Sequence, residues 1–250
     1  MGVSPAPPIV LVHGAWFGGW CWSAVATELR SHGHRVAAVD LPGRPGNPAS
    51  PAEITLDSFV RHTRDVSRSF DEPAILVGHS LAGVTIGETA ETDPDLVAAL
   101  VFVSAFLLRD GEAAVEVMRR DPGSIVKACR RLSADGSTST VLPGMVREAL
   151  CEDCAADMVD EVRRRLVAES VTIARTPVHP TEQRFGRVPR AFVECSRDRI
   201  ISLSEQRALV SAAGCDAVVT LDASHSPFLA MPKELASAIL SAANSARSKT

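Results

Sequence analysis

The chain has 250 residues, a formal net charge of −4 and 46% hydrophobic residues, with a pI near 6.0. That balance gives no general attraction for nucleic acid or an anionic lipid surface, and the basic cluster Arg163, Arg164 and Arg165 stands among acids as a solvated helix face. No apolar run reaches the roughly 18 to 20 residues that span a bilayer. The opening "MGVSPAPPIVLVHGAW" lacks a basic region followed by an apolar core and a cleavage site, so no secretory leader is expected and the cytoplasm is the expected compartment.

In chain order, short β-branched apolar runs recur at 9–13, 35–40, 74–79, 99–105, 191–196 and 217–221. Continuous runs of this kind fit strands buried on both faces, as in a parallel sheet. Most are separated by helix-length segments with apolar residues at threes and fours, such as Trp22, Val25, Ala26 and Leu29, or Leu235, Ala238 and Ile239. The alternation predicts an α/β fold, a doubly wound and mostly parallel sheet of about six strands. It fails once, between Phe106 and Arg190, where helical patterns at 112–120 and 155–169 flank a hairpin turning at Asp135-Gly136. So long an insertion is expected to fold as a cap over 106–189, with a core formed by 1–105 and 190–250. After about Ala242 the tail is small and polar and is expected to fray.

The six cysteines, spread along the chain, make no disulfide framework. Cys151 and Cys154 form a lone C-x-x-C with no second ligand pair; no metal and no cofactor are expected. Cys21, Cys129, Cys195 and Cys215 read as small buried apolar residues.

Ligands of doubly wound sheets bind beyond the carboxyl ends of the strands, where this chain carries "HGAWFGG", "DLPGRPG", "GHSLAG", "SRDRI" and "DASHSP". Ser80 lies on a tight strand-to-helix turn whose neighbours Gly78, Ala82 and Gly83 are small, as an exposed nucleophile requires. A serine hydroxyl needs a base, and His225, just past the last strand, fits best. His79 should point away from Ser80 and pack, while His13 is expected to shape the pocket. The imidazole needs an orienting carboxylate. Asp198 is favoured for that part, Asp222 is the rival, and Glu194 and Asp40 rank lower. The backbone N–H groups of Leu81 and Ala15 are the candidate oxyanion donors, with Gly14 letting the loop come close. Ala15, Trp16, Phe17, Leu81, Phe106, Leu107, Met118, Met145 and Phe185 are expected to line an apolar pocket together with His13 and Gly14.

Ser80, Asp198 and His225 follow the Ser, Asp, His order of the α/β-hydrolase fold. "LVHGAWFGGWCW" and "GHSLAG" resemble the plant methylesterase and hydroxynitrile lyase branch, while "FVECSRDRIISLSEQRAL", "LDASHSPFLAMPKELASAIL" and "CEDCAADMVDEVRRRL" resemble segments of its bacterial members. The fifth elbow position is Ala82 rather than glycine, and the sheet begins at what would be the fold's third strand, as in this branch. The resemblance implies a serine-dependent hydrolase of small to medium apolar esters with a small-molecule substrate, while the charge balance and the short apolar runs lead to no expected nucleic acid or membrane partner. It leaves a homodimer open. The alternatives are a hydroxynitrile lyase-type C–C lyase, an acyltransferase, and a ligand-binding receptor with a damaged triad. Lyases of the branch commonly carry a threonine after the first histidine and a lysine beside the catalytic one. Gly14 and Ser226 stand in those places here, which favours the esterase.

Overall fold

The computed structural model describes residues 6–249; the first five residues, on which the expectation of no secretory leader partly rests, lie outside them. The chain runs β1 (Ile9–Val12), α1 (Ser23–Ser31), β2 (Val36–Val39), α2 (Leu56–Arg68), β3 (Ala74–His79), α3 (Ala82–Thr92) and β4 (Val97–Val103). Between β4 and the next core strand come α4 (Ala114–Arg120), α5 (Val126–Cys129), β5 (Arg130–Leu132), β6 (Thr138–Val141), α6 (Val146–Leu150), α7 (Ala156–Arg165), β7 (Glu169–Ser170) and α8 (Val171–Arg175). The chain then completes the core with β8 (Arg190–Cys195), α9 (Leu203–Ala213), β9 (Ala217–Leu221), α10 (Pro227–Ala230) and α11 (Pro232–Arg247).

Six strands form one sheet in the order β2-β1-β3-β4-β8-β9, and every neighbouring pair is parallel. The central strands β1 and β3 are buried along their whole length, the reason their sequences are unbroken apolar runs. The edge strand β9 alternates half-buried and exposed residues, as a strand with one wet face should. Helices α1 and α11 pack on each other, α2 and α3 on each other, and the two pairs cover the sheet. The chain passes from β1 to β2 on one side and then to β3 on the other, so the winding reverses between β1 and β3. That switch point opens a crevice at the carboxyl ends of those two strands. His13-Gly14 and Ser80 follow them directly.

Two expectations need correction. The pattern read as a helix over 155–169 ends at Arg165, because the following residues are pulled into tertiary pairing. Val167 N–H donates to Trp16 O (2.9 Å), and Glu169 and Ser170 pair with β6. The tail does not fray at Ala242: α11 continues to Arg247, with Ala242, Ala243 and Ala246 fully buried in line with Leu235 and Ile239. Alanines at this spacing keep a helix face apolar without bulk, a stripe that a polar-composition reading overlooks.

Candidate active site

The turn after β3 carries Ser80 at φ +53°, a left-handed conformation in a residue with a Cβ. Such backbone costs about 1–3 kcal/mol and survives where its surroundings over-determine it. Here Ser80 N–H donates to Val103 O (3.2 Å) and Ser80 O accepts from Phe106 N–H (3.1 Å). The close approach of helix, strand and loop falls on Gly78 and Gly83. A Cβ on Gly78 would lie 2.9 Å from Ala82 O, and one on Gly83 would lie 2.4 Å from Phe106 O. The obligatory small position is therefore Gly83, which is why alanine is accommodated at 82.

His225, 1% exposed, reaches back from the loop after β9. Its Nε2 is 3.0 Å from Ser80 Oγ and its Nδ1 is 2.6 Å from Asp198 Oδ2. With Nδ1–H donating to the carboxylate, Nε2 is left free to take the serine proton. Asp198 Oδ1 accepts from Ile200 N–H (2.6 Å) and Ile201 N–H (3.1 Å). Its Oδ2 also accepts from the hydroxyl of Ser104, a buried residue at φ +39° just past β4. Those bonds fix the carboxylate in plane and orientation. Asp222, by contrast, has an 80% exposed side chain held by Arg197 (2.9 Å) and Ser196 (3.0 Å). Glu194 is taken up by Arg207 and Thr220, and Asp40 by Gly19 N–H.

The two neighbouring histidines stay neutral. His13 donates from Nδ1 to Gly14 O (2.9 Å) and accepts Leu41 N–H at Nε2 (3.2 Å). Burial, with the Arg44 charge adding to it, lowers its pKa to about 3. His79 donates from Nε2 to His225 O (2.8 Å), its ring centroid 4.6 Å from that of His225. Burial, then the neighbouring His225, push its pKa well below the usual range. It packs, as the sequence reading has it, yet it also holds the backbone of His225. The unpartnered Nδ1 of His79 faces Gly14, where a Cβ would come within 2.7 Å of it and 2.9 Å from Ser80 Cβ. Glycine is thus required at 14 for the loop to lie against Ser80.

Among the described residues, the N–H groups of Ala15 and Leu81 donate to no protein group. Both residues line one small cavity with His13, Gly14, Leu41, Phe59, Thr85 and Glu169. The other candidate pocket residues do not gather there. Phe106, Leu107 and Phe185 line a different cavity with Val84 and Gly87. Phe17 borders a third with Trp20 and packs edge-on against Phe228 (5.3 Å). Trp16 turns its Nε1–H to Ser139 O (3.1 Å). Met118 is buried and Met145 half-buried in the core. These side chains separate because α3 and the insertion pack them on different faces, which apolar character alone cannot distinguish.

Four contributors escaped the sequence reading. Ser104 directly follows β4, where the sequence shows only a small residue within an apolar run. Glu169 accepts from Trp16 N–H (3.2 Å) and from the buried Arg44 guanidinium. Asp153 accepts from Ser224 N–H (2.7 Å) and Ser224 Oγ (2.5 Å), one residue before His225. Cys151 and Cys154 flank it as buried free thiols. Among the described residues no cluster of three or more His, Cys, Asp or Glu is set to hold a metal ion, and no helix is long and apolar enough to cross a membrane.

Residues 9–238 match the family model described as "Alpha/beta hydrolase family". A pyrethroid hydrolase of Sphingobium wenxiniae is 33% identical over 92% of this chain and 85% of its own length. Polyneuridine aldehyde esterase of Rauvolfia serpentina is 28% identical over 94% and 95%. The crystal structure of a pyrethroid hydrolase from Sphingobium faniae JZ-2 superposes with a TM-score of 0.85 at 28% identity, covering 95% of this chain and 97% of that one.

Proposed function

The chain belongs to the alpha/beta hydrolase family, in its methylesterase-like branch, and from that premise we propose a carboxylesterase-like enzyme that cleaves small to medium apolar esters through an acyl-enzyme on Ser80. The observation that carries the reading is the unbroken hydrogen-bonded line from Ser80 Oγ to His225 Nε2 at 3.0 Å and from His225 Nδ1 to Asp198 Oδ2 at 2.6 Å. Ser80 Oγ attacks the ester carbonyl as His225 takes its proton. The oxyanion is stabilised by the N–H groups of Ala15 and Leu81, which are free of protein acceptors. The histidinium, held by Asp198, then protonates the departing alkoxide, and water repeats the sequence to release the acid. Leu41 and Phe59 give the adjoining cavity its apolar wall.

Cyanohydrin cleavage is disfavoured because Ser226 supplies no ammonium for a departing cyanide and Gly14 no hydroxyl for the cyanohydrin oxygen. The test is a panel of short p-nitrophenyl and methyl esters, a pyrethroid and mandelonitrile, run beside labelling with an active-site phosphonate. Ester turnover and labelling are expected in the wild type. Ser80→Ala should remain folded, lose labelling and lose kcat by up to about 10⁶-fold. A folded Ser80→Ala that keeps most of its activity, or rapid cyanide release with no ester turnover, would overturn the reading.

A further inference from the structure

We propose that the turn after β4, residues 103–106, is a bracket that holds the nucleophile and the acid of the triad in one frame, and that Ser104 is its positioning residue, setting through its hydroxyl how Asp198 meets His225. This deepens, and rests on, the esterase reading above. The turn touches both ends of the triad within four residues. Val103 O accepts from Ser80 N–H (3.2 Å) and Phe106 N–H donates to Ser80 O (3.1 Å), so the backbone of the nucleophile is held on both sides. Between those two bonds the Ser104 hydroxyl donates to Asp198 Oδ2, 94 residues along the chain. Ser104 is itself tied to the neighbouring strand, its N–H donating to Val193 O (2.9 Å). Apart from His225, no other segment among the described residues bonds to both Ser80 and Asp198.

The backbone argues that the turn is built for this contact. Ser104 lies at φ +39° and is fully buried. A residue with a Cβ is strained in that region, where glycine would be the relaxed choice. Such strain persists where the surroundings over-determine it, and what serine supplies here and glycine cannot is the hydroxyl. Asp198 needs it, because the residue is only 6% exposed and a carboxylate kept from water must find donors in the protein. Its Oδ1 accepts from Ile200 N–H (2.6 Å) and Ile201 N–H (3.1 Å), and its Oδ2 from His225 Nδ1–H (2.6 Å) and the Ser104 hydroxyl. A carboxylate offers about four acceptor sites, so these four donors fill it. Two consequences follow for the reaction. With Ser104 on one site of Oδ2, the site that remains is the one turned to Nδ1–H, which fixes the ring of His225. A carboxylate with every site hydrogen-bonded is also a weaker base, so the imidazolium formed during attack keeps its Nδ1 proton and passes the other one on.

The test uses the full chain carrying Ser104→Ala, Ser104→Gly or Ser104→Thr. Each is read by steady-state kinetics on one activated ester, by thermal melting, and by the far-downfield proton NMR signal of the hydrogen bond from His225 Nδ1–H to Asp198. Alanine and glycine both remove the hydroxyl, and both should lower kcat about tenfold with KM held within a factor of about two. Their stabilities should differ, since only glycine relieves the left-handed backbone: Ser104→Gly should melt about 2–4 °C above Ser104→Ala. Ser104→Thr keeps the hydroxyl on a branched side chain unsuited to positive φ, so it should recover most of the kcat while melting below wild type. In the alanine and glycine variants the NMR signal should move further downfield, because Oδ2 with one donor fewer accepts more strongly from Nδ1–H. If the threonine variant does not fold, the alanine and glycine pair and the NMR signal decide. A kcat that follows the melting temperature, with glycine recovering what alanine loses, would make Ser104 a structural residue of the turn and overturn the proposal. A wild-type kcat or an unmoved NMR signal in Ser104→Ala would overturn it too, and each of these outcomes leaves the esterase reading standing as long as the phosphonate labels Ser80. A wild-type protein that neither turns over an ester nor takes the phosphonate overturns both.

Discussion

The loops at the carboxyl ends of the sheet and the insertion between β4 and β8 reach the same crevice by different physics. At the strand ends most polar groups satisfy one another at short range, with His79 Nδ1 and Ser226 Oγ the exceptions among the described residues. Asp198 alone accepts from His225, Ser104, Ile200 and Ile201, and both neighbouring histidines are locked in one tautomer. The insertion meets the loops after β1 and β9 through bonds of mixed kind: Glu169 accepts from Trp16 and Arg44, Val167 N–H donates to Trp16 O, Ser139 O accepts from Trp16 Nε1–H, and Asp153 accepts from Ser224. One region ties His225 and Asp198 through several bonds each; the other packs against that frame and leaves Glu169 Oε1 without a hydrogen-bond partner among the described residues.

The largest effect belongs to the strand ends. Asp198→Asn is expected to favour the wrong imidazole tautomer and cost on the order of 10⁴ in rate. Asp222→Asn, altering an 80% exposed side chain tied only to Ser196 and Arg197, should stay within a factor of about two. Steady-state kinetics on one activated ester, with melting curves to confirm folding, decides between them. A mild Asp198→Asn beside a crippled Asp222→Asn would break the comparison at its root.

The locked tautomers give a second effect, on stability against pH. His13 holds fewer protons folded than unfolded between its lowered pKa of about 3 and the ordinary 6.5. Unfolding then takes up protons, and stability falls as pH drops through 6.5 and levels off only near 3. From pH 6.5 to 5 this amounts to about 2 kcal/mol for His13 alone, and His79 acts in the same direction. His13→Gln, which keeps an acceptor and removes the titration, should flatten the thermal-melting profile over that window. An unchanged slope would show that the strand-end loop does not enforce neutrality.

How much of this was legible follows from the same contrast. The six core strands, the hairpin at Asp135-Gly136 and the small residues around Ser80 are written in local pattern: apolar period, turn chemistry and glycine spacing. Glu169, Arg44, Asp153 and Ser104 act through partners as far as 71 to 153 residues away, and nothing in their immediate sequence sets them apart from surface polar residues. The stretch over 155–169 shows the failure directly. Its local pattern continues the helix, while pairing of Glu169 with Ser139 and its bond to Trp16 end it at Arg165. The dispersal of Phe106, Phe185 and Met118 away from the crevice has the same cause, since hydrophobicity says that a side chain is buried and not against what.

The smallest effect tests whether the insertion merely roofs the crevice or also tunes it. Asp153 holds Ser224 by backbone and hydroxyl at 2.7 and 2.5 Å, and Ser224 immediately precedes His225. Asp153→Ala would leave the N–H of a residue only 4% exposed without an acceptor, a loss of about 1–3 kcal/mol in stability. His79 still holds the carbonyl of His225, so the imidazole should loosen without leaving its place. The expected signature is a kcat lowered several-fold with KM nearly constant, because the defect lies in the alignment of the base and not in the cavity. Asp153→Asn, whose amide oxygen can accept one of the two bonds, should recover part of both losses. A kcat equal to wild type in a variant that has lost stability would reduce Asp153 to a structural tie.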